Sequence, residues 1–149
     1  PPATQQYHTI FREELKVIRR NDRNEEGQAM VEFALIIPAL LLVVFGIIQF
    51  GILFNNYLTL TDAVRVGARQ AAVSRQSPNP IATTTDQIMR AADHLDTSQL
   101  EITITPGSPS DWTQGGDIQV TATYPYSISL LGLVVKSGRL TSTTTERME

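Results

Sequence analysis

The chain has 149 residues, of which 42% are hydrophobic and none is cysteine, and its formal net charge is −3. This length predicts one folded domain with additional segments, and the small charge argues against a nucleic-acid partner, which requires a basic face. The lack of cysteine excludes disulfides, thiolate zinc sites and a cysteine nucleophile, but it leaves the redox compartment undecided. Because residue 1 is proline and not methionine, we expect further residues upstream.

A polar and charged segment, residues 1–29, begins the chain. Within it, residues 7–20 carry apolar and basic side chains at roughly helical spacing, which predicts an amphipathic helix that ends at the polar run before Gly27. Such a helix can lie on a membrane surface or meet a partner. The alternative is a short, partly ordered cytoplasmic leader.

An uncharged apolar run follows at Phe33–Phe54, with the sequence FALIIPALLLVVFGIIQFGILF. As a helix this run would be about 33 Å long, which matches a bilayer hydrocarbon core about 30 Å thick. Its only polar side chain is Gln49, whereas a core helix of a soluble domain would show a polar face. A secretory signal would be shorter and followed by a cleavage site. The run therefore predicts one membrane-spanning helix, with a core helix and a signal peptide as the alternatives.

Basic residues near the apolar run favour a cytoplasmic N-terminus. Those before the run are Arg12, Lys16, Arg19, Arg20 and Arg23, and the nearest ones after it are Arg65, Arg69 and Arg75. The positive-inside rule counts these cations and largely ignores acidic residues. We therefore expect residues 1–27 in the cytoplasm and the C-terminal domain outside, with the chain in the inner (cytoplasmic) membrane.

Helical spacing continues beyond the apolar run, so one long helix is predicted over residues 28–75. Its second part carries a stripe of apolar and small residues: Leu60, Val64, Gly67, Ala68, Ala71 and Ala72. Glycine and alanine allow another helix to approach closely. We expect this stripe to pack on the protein's own C-terminal domain, and packing on another subunit is the alternative.

The remaining residues predict a small domain of mixed structure. Prolines 78 and 80 mark residues 76–85 as a linker, and Asp86 is the predicted N-cap of a short helix over residues 86–95. Alternating apolar and polar residues predict strands at 100–105, 117–124 and 140–145. The fold class is therefore α+β: a long N-terminal transmembrane helix that continues into residues 86–149, a domain with a short helix and an antiparallel sheet of three or more strands.

Two features of this domain allow more than one interpretation. Trp112 lies in a loop rich in glycine, serine and proline, where it can dock a partner or fill its own domain. Residues 124–135, YPYSISLLGLVV, form an apolar run outside the predicted span. We expect this run to be buried core, and an assembly surface or a membrane-touching loop are the alternatives.

Catalytic and ligand-binding motifs are missing from the sequence. His8 and His94 are far apart, and Asp86, Asp111 and Asp117 do not have the spacing of a calcium loop. There is no nucleophile elbow and no phosphate-binding glycine loop. We therefore predict no catalytic residue, no metal, no cofactor, no small-molecule substrate and no enzyme activity.

The junction between charged and apolar sequence resembles the processing site of type IV prepilins. Gly27 lies five residues before Glu32, directly ahead of the apolar run. In that family a membrane peptidase cuts after the glycine, so the resemblance implies a cut between Gly27 and Gln28. It also implies that Glu32 pairs with the new α-amino group of a neighbouring subunit, because a carboxylate at the edge of the hydrocarbon requires a partner.

The resemblance narrows to the TadE-like family of the Tad, or Flp-type, pilus system. It is carried by Val31-Glu32-Phe33-Ala34, by Pro38, Gly46 and Gly51 within the apolar helix, and by the stretch DAVRVGARQAA that holds Gly67 and Ala68. The C-terminal sequence from Leu140 is also similar, whereas residues 76–139 match no family motif. The resemblance implies that Pro38, Gly46, Gly51, Gly67 and Ala68 serve helix packing.

The function implied is structural. A TadE-like minor pilin or pseudopilin would take part in building an adhesive Tad-type pilus, with a prepilin peptidase, other pilin-like subunits and the pilus assembly platform as partners. It would lie in the membrane or in the extracellular pilus. The alternative is an unprocessed, membrane-anchored binding module of the cell envelope, and a membrane-tethered enzyme is a third hypothesis without a polar cluster to support it.

Overall fold

The computed structural model describes residues 3–130 and 132–149, with side chains described for residues 27–130 and 132–149. Helix α1 spans Ala3–Val73 and helix α2 spans Pro80–Ala91, and the strands are β1, Glu101–Thr105, β2, Asp117–Leu130, and β3, Leu133–Arg147. These elements confirm the predicted α+β class, with a long apolar N-terminal helix, a short helix and a three-stranded antiparallel sheet. The contacts divide the chain into two compact units, Pro1–Phe45 and Gly46–Glu149.

Helix α1 continues through Gly27 and the polar residues before it, where the sequence predicted the end of a separate N-terminal helix. That prediction is wrong because a single glycine in a helix interior costs only about 1 kcal/mol, which is too little to end a helix by itself. The predicted amphipathic face of residues 7–20 lies outside the residues whose side chains are described.

Helix α2 begins at Pro80, six residues before the predicted N-cap at Asp86. The side-chain oxygen of Asn79 accepts a hydrogen bond from the backbone N–H of Ala82 at 3.3 Å, so Asn79 is the cap. Pro80 then occupies the first helical turn, where its missing N–H costs no hydrogen bond and its fixed φ suits a helix. A proline that the sequence reasoning assigned to a linker is therefore the start of the helix.

The second unit has one hydrophobic core between helix and sheet. The strands lie in the order β1-β2-β3, and inward-facing residues of β2, such as Ile118 and Val120, are fully buried. Leu60 and Val64 of α1 and Ile88 of α2 belong to the same core. The prediction that the stripe on α1 packs on the protein's own C-terminal domain is confirmed. We call this body the head: α2, the three strands with their loops, and residues 60–73 of α1.

Strands β2 and β3 are longer than predicted and form a hairpin that extends past β1. Strand β1 pairs with β2 only over residues 119–123, whereas the β2–β3 pairing continues to Leu130 and Leu133. Beyond β1, the side chains of Leu133, Val134 and Val135 are 75%, 65% and 62% exposed. The expectation that this apolar run is buried core is wrong for these three residues, because no other layer of the described part of the chain covers them.

Two segments outside the helices and strands are anchored by buried side chains, those of Trp112 and Met148. Trp112 is 4% exposed, and its indole Nε1 donates a hydrogen bond to the carbonyl oxygen of Pro106 at 2.9 Å. This residue therefore fills its own domain. Met148, 3% exposed, is held by backbone hydrogen bonds in which its N–H donates to Gly116 O at 2.8 Å and its carbonyl accepts from Gly115 N–H at 2.9 Å.

Candidate functional site

The amino-terminal edge of the apolar run carries the residues singled out as a processing and pairing site. Gly27, Gln28 and Glu32 all lie on α1 and are exposed. The Gln28 side-chain amide donates a hydrogen bond to Glu32 Oε1 at 3.2 Å, across one helical turn. This neutral donor occupies one oxygen of the carboxylate, so Glu32 retains acceptor capacity for a further donor.

Gly27 has no neighbour that requires a glycine. A Cβ added there would meet no atom within 4 Å. Packing within the described residues therefore does not explain this glycine, and its effect on the chain is to lower the local helix propensity by about 1 kcal/mol relative to alanine.

The apolar part of α1 exposes its side chains. Phe33, Leu35 and Ile47 are 64%, 74% and 67% exposed, and none of the most apolar 18-residue window is buried. Among the described residues, this is the one helix long and apolar enough to cross a membrane. A core helix of a soluble protein would bury these side chains, so a lipid environment accounts best for the exposure.

Pro38, Gly46 and Gly51 lie within this apolar part. Pro38 is inside the helix and exposed. A Cβ added at Gly46 or at Gly51 would meet no atom within 4 Å. In the described part of the chain, these glycines therefore serve no contact that a larger residue would prevent.

Gly67 and Ala68 are in a different situation, because both are buried in the head. A Cβ added at Gly67 would overlap the side chain of Ile88 and lie 2.5 Å from its Cδ1 atom. Ala68 is fully buried in the same core. The structure therefore places these two residues in the core of the head, whereas Gly51 is exposed.

Gln49 has a partner that the sequence did not indicate. Its Nε2 atom donates a hydrogen bond to the backbone carbonyl oxygen of Ser129 on β2 at 2.9 Å. Because an unpaired amide in an apolar medium costs several kcal/mol, a lone polar residue in such a run signals that a partner exists. Because the two residues are 80 positions apart in the sequence, the sequence alone does not identify this partner.

The described residues hold no group of three His, Cys, Asp or Glu side chains that could bind a metal ion. One carboxyl group has a perturbed pKa. The Ser98 hydroxyl donates to Asp96 Oδ1 at 2.6 Å, the Gln99 amide donates to Oδ2 at 2.6 Å, and the Ser98 N–H donates to Oδ1. These hydrogen bonds, led by that of the Ser98 hydroxyl, lower the pKa of Asp96. The arrangement caps a short 3₁₀ turn at Thr97–Gln99 and is structural.

Comparison with known families gives a match over the segment of α1 that contains the residues from Gly27 to Ala68 described above. Residues 27–69 match the model of the family described as TadE-like protein. No curated protein and no solved structure gave a significant match. The matched range begins at Gly27 and ends two residues before Ala71. Over residues 27–69, the resemblance to the TadE-like family that the sequence predicted is confirmed.

Proposed function

We propose that this chain is a minor pilin or pseudopilin that takes part in the assembly of an adhesive Tad-type pilus. The observation that carries the proposal is that the TadE-like segment begins at Gly27, directly before Glu32 and an apolar helix with exposed side chains. In this function the helix is held in the inner membrane with its N-terminus in the cytoplasm. The head lies outside, and the subunit can pass from the membrane into the pilus.

The first step is hydrolysis of the peptide bond between Gly27 and Gln28 by a prepilin peptidase. Water adds across this bond, so that Gly27 gains a carboxylate and Gln28 gains an α-amino group, which is a cation at neutral pH. Gly27 is exposed and has no close packing neighbour among the residues whose side chains are described, which supports a role toward an external agent. Its low helix propensity also eases the local unwinding that a peptidase requires.

The second step is the pairing of Glu32 with the new α-amino group of a neighbouring subunit. In the uncut chain Glu32 accepts a hydrogen bond from the neutral Gln28 amide. An ammonium donor at the edge of the hydrocarbon gives a shorter and roughly twofold stronger hydrogen bond than a neutral one. Because the position of Glu32 along the helix is fixed, this pairing sets the axial stagger between adjacent helices.

Helix packing between subunits then follows from the small residues of the membrane segment. Gly46 and Gly51 have no close neighbours in the described chain, and glycines in an apolar helix let a second backbone approach. The backbone carbonyl freed by Pro38 can be satisfied by such a neighbour. Other pilin-like subunits and the pilus assembly platform are the proposed partners.

Intact-mass analysis of the protein from its native membranes or filaments tests the processing step. We expect a mass that corresponds to a chain starting at Gln28. A chain that retains the segment before Gln28 would contradict processing and favour a second function, an unprocessed membrane-anchored binding module. The continuity of α1 from Ala3 through Gly27 is the observation that supports this alternative.

The pairing step is tested with Glu32→Ala and the matched variant Glu32→Asp, which keeps the charge. We expect Glu32→Ala to enter the membrane normally but to be missing from purified filaments. Glu32→Asp should enter filaments at a reduced level, because its carboxylate is about one bond length shorter in reach. Normal incorporation of Glu32→Ala would show that the carboxylate has no pairing role.

A further inference from the structure

The distal half of the β2–β3 hairpin changes from polar to apolar toward its end. On β3, Arg139 and Lys136 are followed, toward the turn, by the exposed residues Val135, Val134 and Leu133. Gly132 has a positive φ of 85°, as a tight reversal of the chain requires. We call Leu133–Val135 the hairpin tip. Three exposed apolar side chains at the end of a hairpin are unfavourable in water.

The hydrogen bond between Gln49 and Ser129 places this tip relative to the apolar helix. Gln49 lies five residues inside the outer end of the apolar run at Phe54, which corresponds to about 7.5 Å along a helix. Strand β2 follows α1 in the opposite direction: Ile118 packs in the core with Leu60, whereas Ser127 and Ile128 lie beside Gln49 and Ile52. Past Ser129 the hairpin therefore continues away from Asn56 and toward the interior of the membrane.

We propose that the hairpin tip is inserted into the membrane leaflet on the side of the head, as a second membrane contact beside α1. This inference rests on α1 crossing a membrane, but not on processing or on pilus assembly. The part of α1 beside Ser129 also exposes apolar side chains: Phe50 and Phe54 are 66% and 52% exposed and stack with ring centroids 6.2 Å apart. The occupant is therefore the acyl chains that also surround the helix.

Residues that flank the tip suit the boundary between hydrocarbon and headgroups. Tyrosines are enriched at this level, and lysine side chains extend from it toward water. Tyr124 and Tyr126 lie on β2, and Lys136, opposite Ile128, is exposed on β3. The ring of Tyr126 lies over Gly138, where an added Cβ would be only 2.9 Å from Tyr126 Cε1. Along the hairpin, the change from aromatic and charged residues to apolar ones therefore occurs where the boundary between headgroups and hydrocarbon is expected.

Backbone hydrogen bonding limits how deep the hairpin can go. Each unpaired N–H or C=O group in hydrocarbon costs several kcal/mol, so an open two-stranded sheet does not span a bilayer. The β2–β3 ladder pairs Leu130 with Leu133, and the Gln49 amide satisfies the carbonyl of Ser129 on the other edge of β2. These contacts permit shallow insertion of the tip, and the polar residues above it stay outside.

The test is the depth of a fluorescent label on single-cysteine variants of the full chain in phosphatidylcholine vesicles. Since the chain has no native cysteine, each variant carries one label. Val134→Cys reports on the tip, Thr143→Cys on the distant, exposed part of the same strand, and Ile47→Cys on the membrane helix. Quenching is measured with spin-labelled lipids and, separately, with aqueous iodide.

We expect the label at position 134 to lose fluorescence to spin-labelled lipids, as at position 47, and to be protected from iodide, whereas position 143 should show the reverse. Quenching at 134 by iodide to the same extent as at 143 would overturn the proposal. So would protection from both quenchers together with disulfide-linked dimers of Val134→Cys, which would show that a second copy covers the tip. If position 47 is not quenched by lipid, the membrane helix itself is wrong, and the inference falls with it.

Discussion

Gly67 on α1 and Ile88 on α2 fit together because the glycine has no side chain. The Ile88 Cδ1 atom lies 2.5 Å from the position that a Cβ at residue 67 would take, and Ile88 is fully buried. A real Cβ essentially never approaches another atom so closely, so any larger residue at 67 requires the Ile88 side chain, or α2 with it, to move. This contact, within the head, packs α2 against residues 60–73 of α1.

Gly67→Ala is therefore expected to destabilise the head by about 1–3 kcal/mol, the usual cost of overpacking a core. The measurement is urea unfolding of the full chain in detergent, followed by far-UV circular dichroism. Gly51→Ala is the matched control on the same helix, since its Cβ meets no atom within 4 Å. In a double-mutant cycle, Gly67→Ala should lower the free energy of unfolding less in the Ile88→Ala variant than in the wild type, because the truncated side chain leaves room for the new Cβ. Equal costs in both backgrounds would contradict the contact.

Replacement of Trp112 separates its hydrogen bond from its packing. Trp112→Phe loses the hydrogen bond to Pro106 O and should cost about 1–2 kcal/mol, because that carbonyl is left without its donor. Trp112→Ala also loses the buried ring and should cost about 3–5 kcal/mol. The same unfolding measurement applies. If both variants unfold like the wild type, Trp112 does not fill the head in solution and docking to a partner becomes its function.

Met148 ties the C-terminal residues to the core. Met148→Ala is expected to cost about 2–5 kcal/mol, the range for truncating a buried methionine. Met89, which is 40% exposed on α2, provides the control, and Met89→Ala should change the stability by less than about 0.5 kcal/mol. Similar losses for the two methionines would argue against a special role for Met148.

Acid should weaken the turn at Thr97–Gln99 through Asp96. The hydrogen bonds from Ser98 and Gln99 lower the pKa of Asp96 in the folded state below its ordinary value of 3.8. A carboxyl group of this kind stabilises the fold above the unfolded-state pKa, and the contribution is lost as the pH falls through the lower folded-state pKa. Unfolding temperatures measured from neutral pH to about pH 3 should therefore fall less steeply for Asp96→Asn than for wild type.

Periodicity was sufficient to predict the buried stripe on α1. Leu60, Val64, Ala68 and Ala71 recur at spacings of three and four, and all are fully buried. Such spacing places side chains on one face of a helix, whatever covers that face. In Phe33–Phe54 the apolar residues are not confined to one face of the helix. This pattern predicted a membrane-spanning helix, whose side chains are exposed in the structure. The motif around Gly27 and Glu32 was also visible, and the family match covers both residues.

Other features depended on contacts that the sequence does not display. Proline is common both in linkers and in the first turn of a helix, so Pro80 alone does not distinguish the two. The hydrogen bond of the Asn79 cap shows that a helix begins here. The apolar residues Leu133 and Val134 have the hydrophobicity of core residues, but burial requires a second layer over the sheet, and within the described residues none covers these two side chains. The partner of Gln49 could not be predicted, because it is a backbone carbonyl, which every residue possesses.

The core of the head joins parts of the chain that are made at very different times. Leu60 and Val64 leave the ribosome before α2 and the three strands, whereas Met148, in the same core, follows all of these elements. The backbone N–H of Glu149 also donates a hydrogen bond to the carbonyl oxygen of Ala72 on α1 at 3.2 Å. Long-range contacts of this kind slow folding, since the intervening loop must close first. The membrane helix can thus be complete and inserted while the head is still unfolded, and the stripe on α1 is not fully covered until β3 has been made.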